Sequence, residues 1–318
     1  MKKKDLTTHT TLKKIRLRNV QRSWTAALAV VVVIAGIGAY VLFGSHAATP
    51  STSTAEAESG TKSGTTSIIA DSGASGGNAL KFGTAASSGG SGASCTSNCQ
   101  PVGTISGHSG SWTQKFDDEF NGSSLDTSKW GATDGYNTNG VTTHSSNLSF
   151  SGGSLILTLA SSSSGAEICS APSCGAGSNA YTVPVGGYAE ARVYFPGNGN
   201  TIYNWPAWWI SGDNWPANGE NDIAEGLGGN LTVNYHSNGS CNANHGEVSG
   251  TWSNGYHTYG IYRQSGKADV YYDGTLVKSY CTDDSGGGEA LIVNVGNGNT
   301  SVYGTGSQVK VDYIRAWQ

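Results

Sequence analysis

The sequence predicts an all-β sandwich or barrel. Apolar and polar residues alternate over short runs, at 155–159, 187–195, 268–272, 290–295 and 309–317, which is the two-residue period of half-buried strands. Clusters of Gly, Asn and Asp punctuate those runs, and 47 of the 318 residues are glycine, so turns are frequent and long helices are disfavoured. Few stripes at helical spacing occur. About 200 residues remain for the strand-rich part, enough for one β domain.

Taken from the N-terminus, the chain divides by composition. Residues 1–23 are basic, with eight Lys or Arg against one acid, Asp5, in the first 22. Residues 24–44 hold a 20-residue apolar run from Trp24 to Phe43, long enough to cross a bilayer as a helix at about 1.5 Å per residue. The preceding basic residues place its start on the cytoplasmic side. Ser45-His46-Ala47 resembles a small-residue cleavage site, so a retained transmembrane anchor and a cleaved signal segment both stay open. Either one exports the remainder, which predicts an extracellular or cell-surface location. Residues 45–111 are rich in Ser, Gly, Thr and Ala, the composition of a flexible linker. Within it, residues 55–82 resemble the opening of a carbohydrate-binding module but are far too short for one. Residues 112–318 carry the alternating runs.

Charge and cysteines bound the function. The formal charge of −4 hides an asymmetry, because beyond residue 22 the chain has 10 basic and 21 acidic residues. Nucleic acid is therefore an unfavourable partner for the folded part. Six cysteines suit an oxidising compartment. Proximity favours Cys95/Cys99, Cys169/Cys174 and Cys241/Cys281 among the 15 pairings that six allow. No HExxH, P-loop or dinucleotide fingerprint is present, and no metal site is expected from spacing.

The segment 219–226, GENDIAEG, places three carboxylates in six residues: Glu220, Asp222 and Glu225. On a regular strand, Glu225 would face away from the other two. One bulged residue near Ala224 restores parity and puts all three on one face. Glu220 and Glu225 would then lie roughly 13 Å apart at Cα, close enough for inclined side chains to approach to about 5–6 Å. A separation of roughly 5–5.5 Å suits a double displacement at a glycosidic carbon. A solvated acidic strand is the plain alternative. Four of the nine Trp, at 205, 208, 209 and 215, crowd into the eleven residues just upstream. Outward indoles beside carboxylates suit sugar faces, and core packing is the competing use for each ring.

Residues 205–210, WPAWWI, followed by 219–228, GENDIAEGLG, resemble the core of glycoside hydrolase family 16 (laminarinases and β-glucanases). Further similar segments run in order: 116–122 and 125–130, 147–158, 187–193, 256–261, 270–274 and 311–317. The resemblance covers about residues 112–318. It implies a concanavalin A-like jelly roll, a two-sheet antiparallel sandwich with the cleft on one sheet. It also implies that Glu220 is the nucleophile, that Glu225 is the general acid/base, and that Asp222 sits between them and tunes the nucleophile. Such a pair needs separated pKa values, which close like charges supply. The implied activity is a retaining endo-glycosidase on a β-linked polysaccharide, with β-1,3- or mixed-linkage glucan leading. Agar or carrageenan cleavage and transglycosylation remain alternatives within the family, and a noncatalytic lectin-like surface protein is the rival outside it.

Candidate substrate contacts are Trp205, Trp209, Trp215, Arg192, Asn234 and Tyr235. No cofactor is required, and Asp312 stands where some family members hold a structural Ca2+. The partner is the polysaccharide, with the membrane added if the N-terminal helix is kept, and the chain is expected to be a monomer. The chain departs from the family pattern at two places. Asn221 replaces an apolar residue after the nucleophile, so a core-facing amide needs hydrogen-bond partners. Thr232-Val233-Asn234-Tyr235 lacks the histidine that many members carry on this strand.

Overall fold

The computed structural model describes residues 98–253, 255–298, 302–304 and 307–318, together with two short strands further upstream. Those strands, Thr66–Ala70 and Asn78–Phe82, form a two-stranded sheet of their own. The basic segment 1–23, the apolar run 24–44, the remainder of the linker up to residue 97 and Cys95 lie outside the described residues.

Residues 112–318 fold as two stacked β-sheets. Fourteen strands carry the architecture: β1 (Gln114–Asp118), β2 (Leu148–Ser151), β3 (Ser154–Thr158), β4 (Ser164–Cys169), β5 (Tyr188–Tyr194), β6 (Trp205–Ser211), β7 (Glu220–Leu227), β8 (Asn230–His236), β9 (Ala243–Glu247), β10 (His257–Gln264), β11 (Lys267–Tyr272), β12 (Thr275–Cys281), β13 (Glu289–Gly296) and β14 (Gln308–Trp317). One sheet, here the cleft sheet, runs β9-β8-β7-β6-β13-β4 and continues into the short strands Val141–Thr143 and Asn137–Thr138. The other, the back sheet, runs β12-β11-β10-β5-β14-β3-β2, with β1 also paired to β14. Strand pairing within the two sheets is antiparallel except that Val141–Thr143 meets β4 in parallel, a mixed edge that the antiparallel expectation missed; an isolated bridge between Tyr203 and Val302 is also parallel.

Alternation sorts side chains between the core and the outer faces. On β6, Trp208 and Ile210 are fully buried, while on β13 Leu291 and Val293 are. They meet Ala189, Ala191 and Val193 of β5, Ile261 of β10 and Val270 of β11 in one continuous core. Each Val, Leu or Ile among them contributes about 1.5–3 kcal/mol on burial. A one-residue slip would expose the whole set, so the core fixes the register. Intervening residues of β6 and β13, such as Trp205, Ala207, Trp209, Ile292 and Asn294, line a cleft on the far side of the sheet. Disulfides join Cys169 to Cys174 and Cys241 to Cys281, as proximity suggested. The second ties the segment before β9 to the end of β12.

Candidate active site

The hairpin β7–β8 builds the site. Its loop is Gly228-Gly229, with φ of 60° and 89°. A two-residue loop with both φ positive is the tight turn that matches strand twist, and glycine adopts it without a Cβ clash. Leu227 therefore pairs with Asn230, Gly226 with Leu231 and Glu225 with Thr232. The register then shifts, and Asp222 pairs with Asn234 and Glu220 with His236. The same irregularity appears against β6, where Ala207 faces Glu225, Trp208 faces Ala224 and Trp209 faces Asp222. One extra residue at Ile223-Ala224 is the bulge that parity required. Ile223 and Ala224 both lie in the core, and Glu220, Asp222 and Glu225 all line the cleft. The back sheet holds the bulge from beneath, since the buried Tyr272 hydroxyl of β11 donates to the Ile223 carbonyl at 2.9 Å.

Each carboxylate has distinct partners. Glu225 accepts from Trp205 Nε1 on one oxygen and from Asn234 Nδ2 on the other, both at 2.6 Å. Asp222 Oδ2 lies 3.2 Å from His236 Nε2, and Glu220 Oε1 lies 3.7 Å from the same nitrogen. Burial pushes the Glu220 carboxyl up, Asp222 repels it further, and His236 opposes both. Burial likewise raises Asp222 against His236. Burial and then Asp222 raise Glu225, against its Trp205 and Asn234 donors. The hydrogen bond to Asp222 raises His236 above an ordinary imidazole. Glu220 is pushed up to about 8 and Glu225 to about 7, so both carboxyls hold protons near neutral pH, and His236 is a neighbour that favours their ionised forms.

The cleft has a volume of about 1100 Å³. Trp205, Trp209 and Trp215 line it. Trp209 Nε1 donates to Asn294 Oδ1 at 2.9 Å, which fixes that ring. Trp215 follows on the loop after β6, is 60% exposed and lies 6.4 Å from the His236 ring. Glu167 of β4 also lines the cleft, and Thr133 Oγ1 donates to it at 2.9 Å. Burial pushes its carboxyl up to about 7, with Thr133 opposing. Six lining residues are acidic and none is Lys or Arg among the described residues.

Three expectations need correction. Arg192 lies on β5 of the back sheet, where it pairs with Asp312 at 2.6 Å and stacks over Tyr256, outside the cleft. Asp312 is therefore engaged by a guanidinium instead of presenting a free carboxylate for Ca2+. Tyr235 is fully buried, and its hydroxyl reaches Asp284 at 3.1 Å. Strand alternation sends Asn234 to the cleft face and Tyr235 to the core. His236, which the sequence reading did not single out as a site residue, stands on this strand opposite Glu220. Carrying the inferred bulge through the Gly-Gly hairpin would have found it.

Residues 198–296, which include β6 through β13, match the family model of the XgeA-like catalytic GH16 domain. A 55-residue stretch is 40% identical to a probable endo-1,3(4)-beta-glucanase of Aspergillus niger, and the match takes in 17% of this chain and 7% of that protein. The chain thus spans under a tenth of that curated relative. A laminarinase from Rhodothermus marinus superposes with a TM-score of 0.54 at 22% identity, over 65% of this chain and 97% of its own. A pseudo beta-1,3-glucanase of Mycobacterium tuberculosis superposes with a TM-score of 0.50 at 20% identity, over 64% and 97%. At these identities the structural likeness is one of fold. The family match over β7 takes in all three carboxylates, and it bears out the resemblance read from the motifs.

Proposed function

We propose that this glycoside hydrolase family 16 domain is a retaining endo-glycosidase acting on an uncharged β-linked glucan, with β-1,3 or mixed β-1,3/1,4 linkage. The observation that carries the reading is the bulge in β7, which turns Glu220, Asp222 and Glu225 onto one wall of a tryptophan-lined cleft. Glu220 attacks the anomeric carbon while Glu225 protonates the departing glycosidic oxygen. Water then cleaves the glycosyl-enzyme, with Glu225 as base. His236 Nε2 reaches both Asp222 and the nucleophile. Protonated His236 supplies the positive charge that favours ionised Glu220 and Asp222.

The charge of the cleft narrows the substrate. With six acids and no Lys or Arg on its walls among the described residues, and with His236 already engaged by Asp222 and Glu220, a sulfated or uronate-bearing chain would meet repulsion with little compensation. This favours a neutral glucan over carrageenan. Trp215, exposed at one end, offers a face for a sugar ring. Export by the apolar run at 24–44, as an anchor or a cleaved signal, would place the domain where such polymers occur.

The test is reducing-end release from a panel of β-1,3-, mixed-linkage and β-1,4-glucans, agarose and κ-carrageenan, run beside Glu220→Gln. Release from a neutral glucan that disappears in the variant supports the reading. Binding without release in both proteins would favour a lectin, and release that survives in Glu220→Gln would remove Glu220 as nucleophile.

A further inference from the structure

Directly behind the nucleophile lies a buried polar chain that the proposed chemistry does not use. Asn221 is fully buried. Its Nδ2 donates to Glu289 Oε2 at 2.7 Å, and its Oδ1 accepts from the Tyr280 hydroxyl at 3.0 Å. Glu289 is also fully buried, and its other oxygen lies 2.7 Å from Arg263 NH2. Arg263, 3% exposed, donates through NH1 to the carbonyls of Val183 and Gly287, at 2.6 and 2.8 Å. Tyr280 belongs to β12 and Arg263 to β10, so the chain crosses from the back sheet to the catalytic strand.

The chain grips both neighbours of Glu220. On one side is Asn221. On the other is Gly219, with φ of 83°, where a Cβ would come within 2.9 Å of Glu289 Oε1 and 2.8 Å of Asp284 Cβ. The Gly219 backbone on one side of the nucleophile and the Asn221 side chain on the other therefore rest against Glu289. A buried Arg–Glu pair and a buried amide are costly elements for a β core. An apolar residue at 221, with apolar partners, would fill the same space without them. For stability alone the arrangement gains little, which calls for another role.

We propose that Arg263, Glu289, Asn221 and Tyr280 form a positioning device for the nucleophile, fixing the backbone at Glu220 and setting the field in which its carboxyl ionises. The inference rests on the reading of Glu220 as the attacking group. When ionised, Glu289 raises Glu220, after burial, Asp222 and Glu225, and burial pushes Glu289 itself up to about 8 against Arg263 and Asn221. Asn221, in accepting from Tyr280 and donating to Glu289, joins that charge to the strand rigidly. None of the four lines the cleft.

Four variants test this, the last of them Glu289→Gln. Tyr280→Phe removes one hydrogen bond and keeps the shape. Asn221→Leu removes two. Asn221→Asp restores both while it is protonated, since its hydroxyl donates to Glu289 and its carbonyl accepts from Tyr280. The expected result is a fall in kcat of about tenfold to a hundredfold for Asn221→Leu, with KM held within threefold. Tyr280→Phe should lose less. Asn221→Asp should recover activity toward acid pH and lose it as the new carboxyl ionises. A carbon-13 titration of the Glu220 carboxyl gives a readout independent of turnover, and Glu289→Gln should lower its midpoint. A purely structural network would lower the unfolding midpoint of Asn221→Leu while leaving kcat, the pH profile and the Glu220 titration unchanged, and that outcome would overturn the proposal. If the wild type cleaved no glucan, the functional reading would fall, and the Glu220 titration in Glu289→Gln would still decide whether the device acts on that carboxyl.

Discussion

Glu167→Gln should make the protein more stable at alkaline pH and leave it nearly unchanged at acid pH. Burial lifts the Glu167 carboxyl from 4.5 to about 7, and its hydrogen bond from Thr133 opposes that rise. Between these values the folded protein keeps a proton that the unfolded chain has lost. The contribution of Glu167 to stability is therefore complete below about pH 4.5 and is lost as pH rises through about 7. At about 1.36 kcal/mol per pH unit the full interval is worth about 3.4 kcal/mol. The carboxyl borders an open cleft, so solvent screening reduces this to about 2–3 kcal/mol. Glutamine stays neutral throughout and can still accept from Thr133. Glu190, also pushed up to about 7 by burial, is common to both proteins and cancels. The assay is urea unfolding of both proteins at pH 4.5, 6, 7 and 8.5. The variant should match the wild type at pH 4.5 and exceed it by about 2–3 kcal/mol at pH 8.5. A difference that stays constant across this range would show that Glu167 ionises normally, and the reasoning from burial would be refuted.

Other perturbations address the site itself. His236→Gln removes the cation that opposes protonation of Glu220 and Asp222, so the acid limb of kcat/KM should move up by about one pH unit, and an unmoved limb in a pH–rate profile would deny His236 that role. Trp215→Ala should raise KM for a long glucan by about threefold to tenfold, with kcat within twofold in initial-rate kinetics. Tyr272→Phe leaves the Ile223 carbonyl at the bulge without its donor, and urea unfolding should show a loss of about 1–2 kcal/mol; no loss would mean that water or another group satisfies that carbonyl.

Much of this is legible in the chain itself. The parity of Glu220, Asp222 and Glu225 demanded a bulge, and β7 has one at Ile223-Ala224. The alternating runs gave the strands, and pairing each cysteine with its nearest neighbour in sequence gave two disulfides. What stayed hidden depends on which sheet a strand joins. Arg192 and Tyr235 alternate as cleft residues could, yet β5 lies in the back sheet and Tyr235 points inward. Alternation separates two faces and does not say which one meets solvent. The partners of Asn221 come from residues 59 and 68 positions away, a distance over which local pattern carries no information. His236 was within reach, because the Gly228-Gly229 turn and the bulge together dictate its position opposite Glu220. Glu167 was missed because its strand reaches the cleft only through pairing with β13.

The central claim is that Glu220 and Glu225 perform a double displacement. Proton NMR of the product during the first minutes of glucan cleavage reports the anomer released, before mutarotation obscures it. The β-anomer appearing first is the result the account predicts, because two inversions at one carbon restore the starting configuration. The α-anomer appearing first would mean a single displacement by water, and Glu220 would not be a nucleophile.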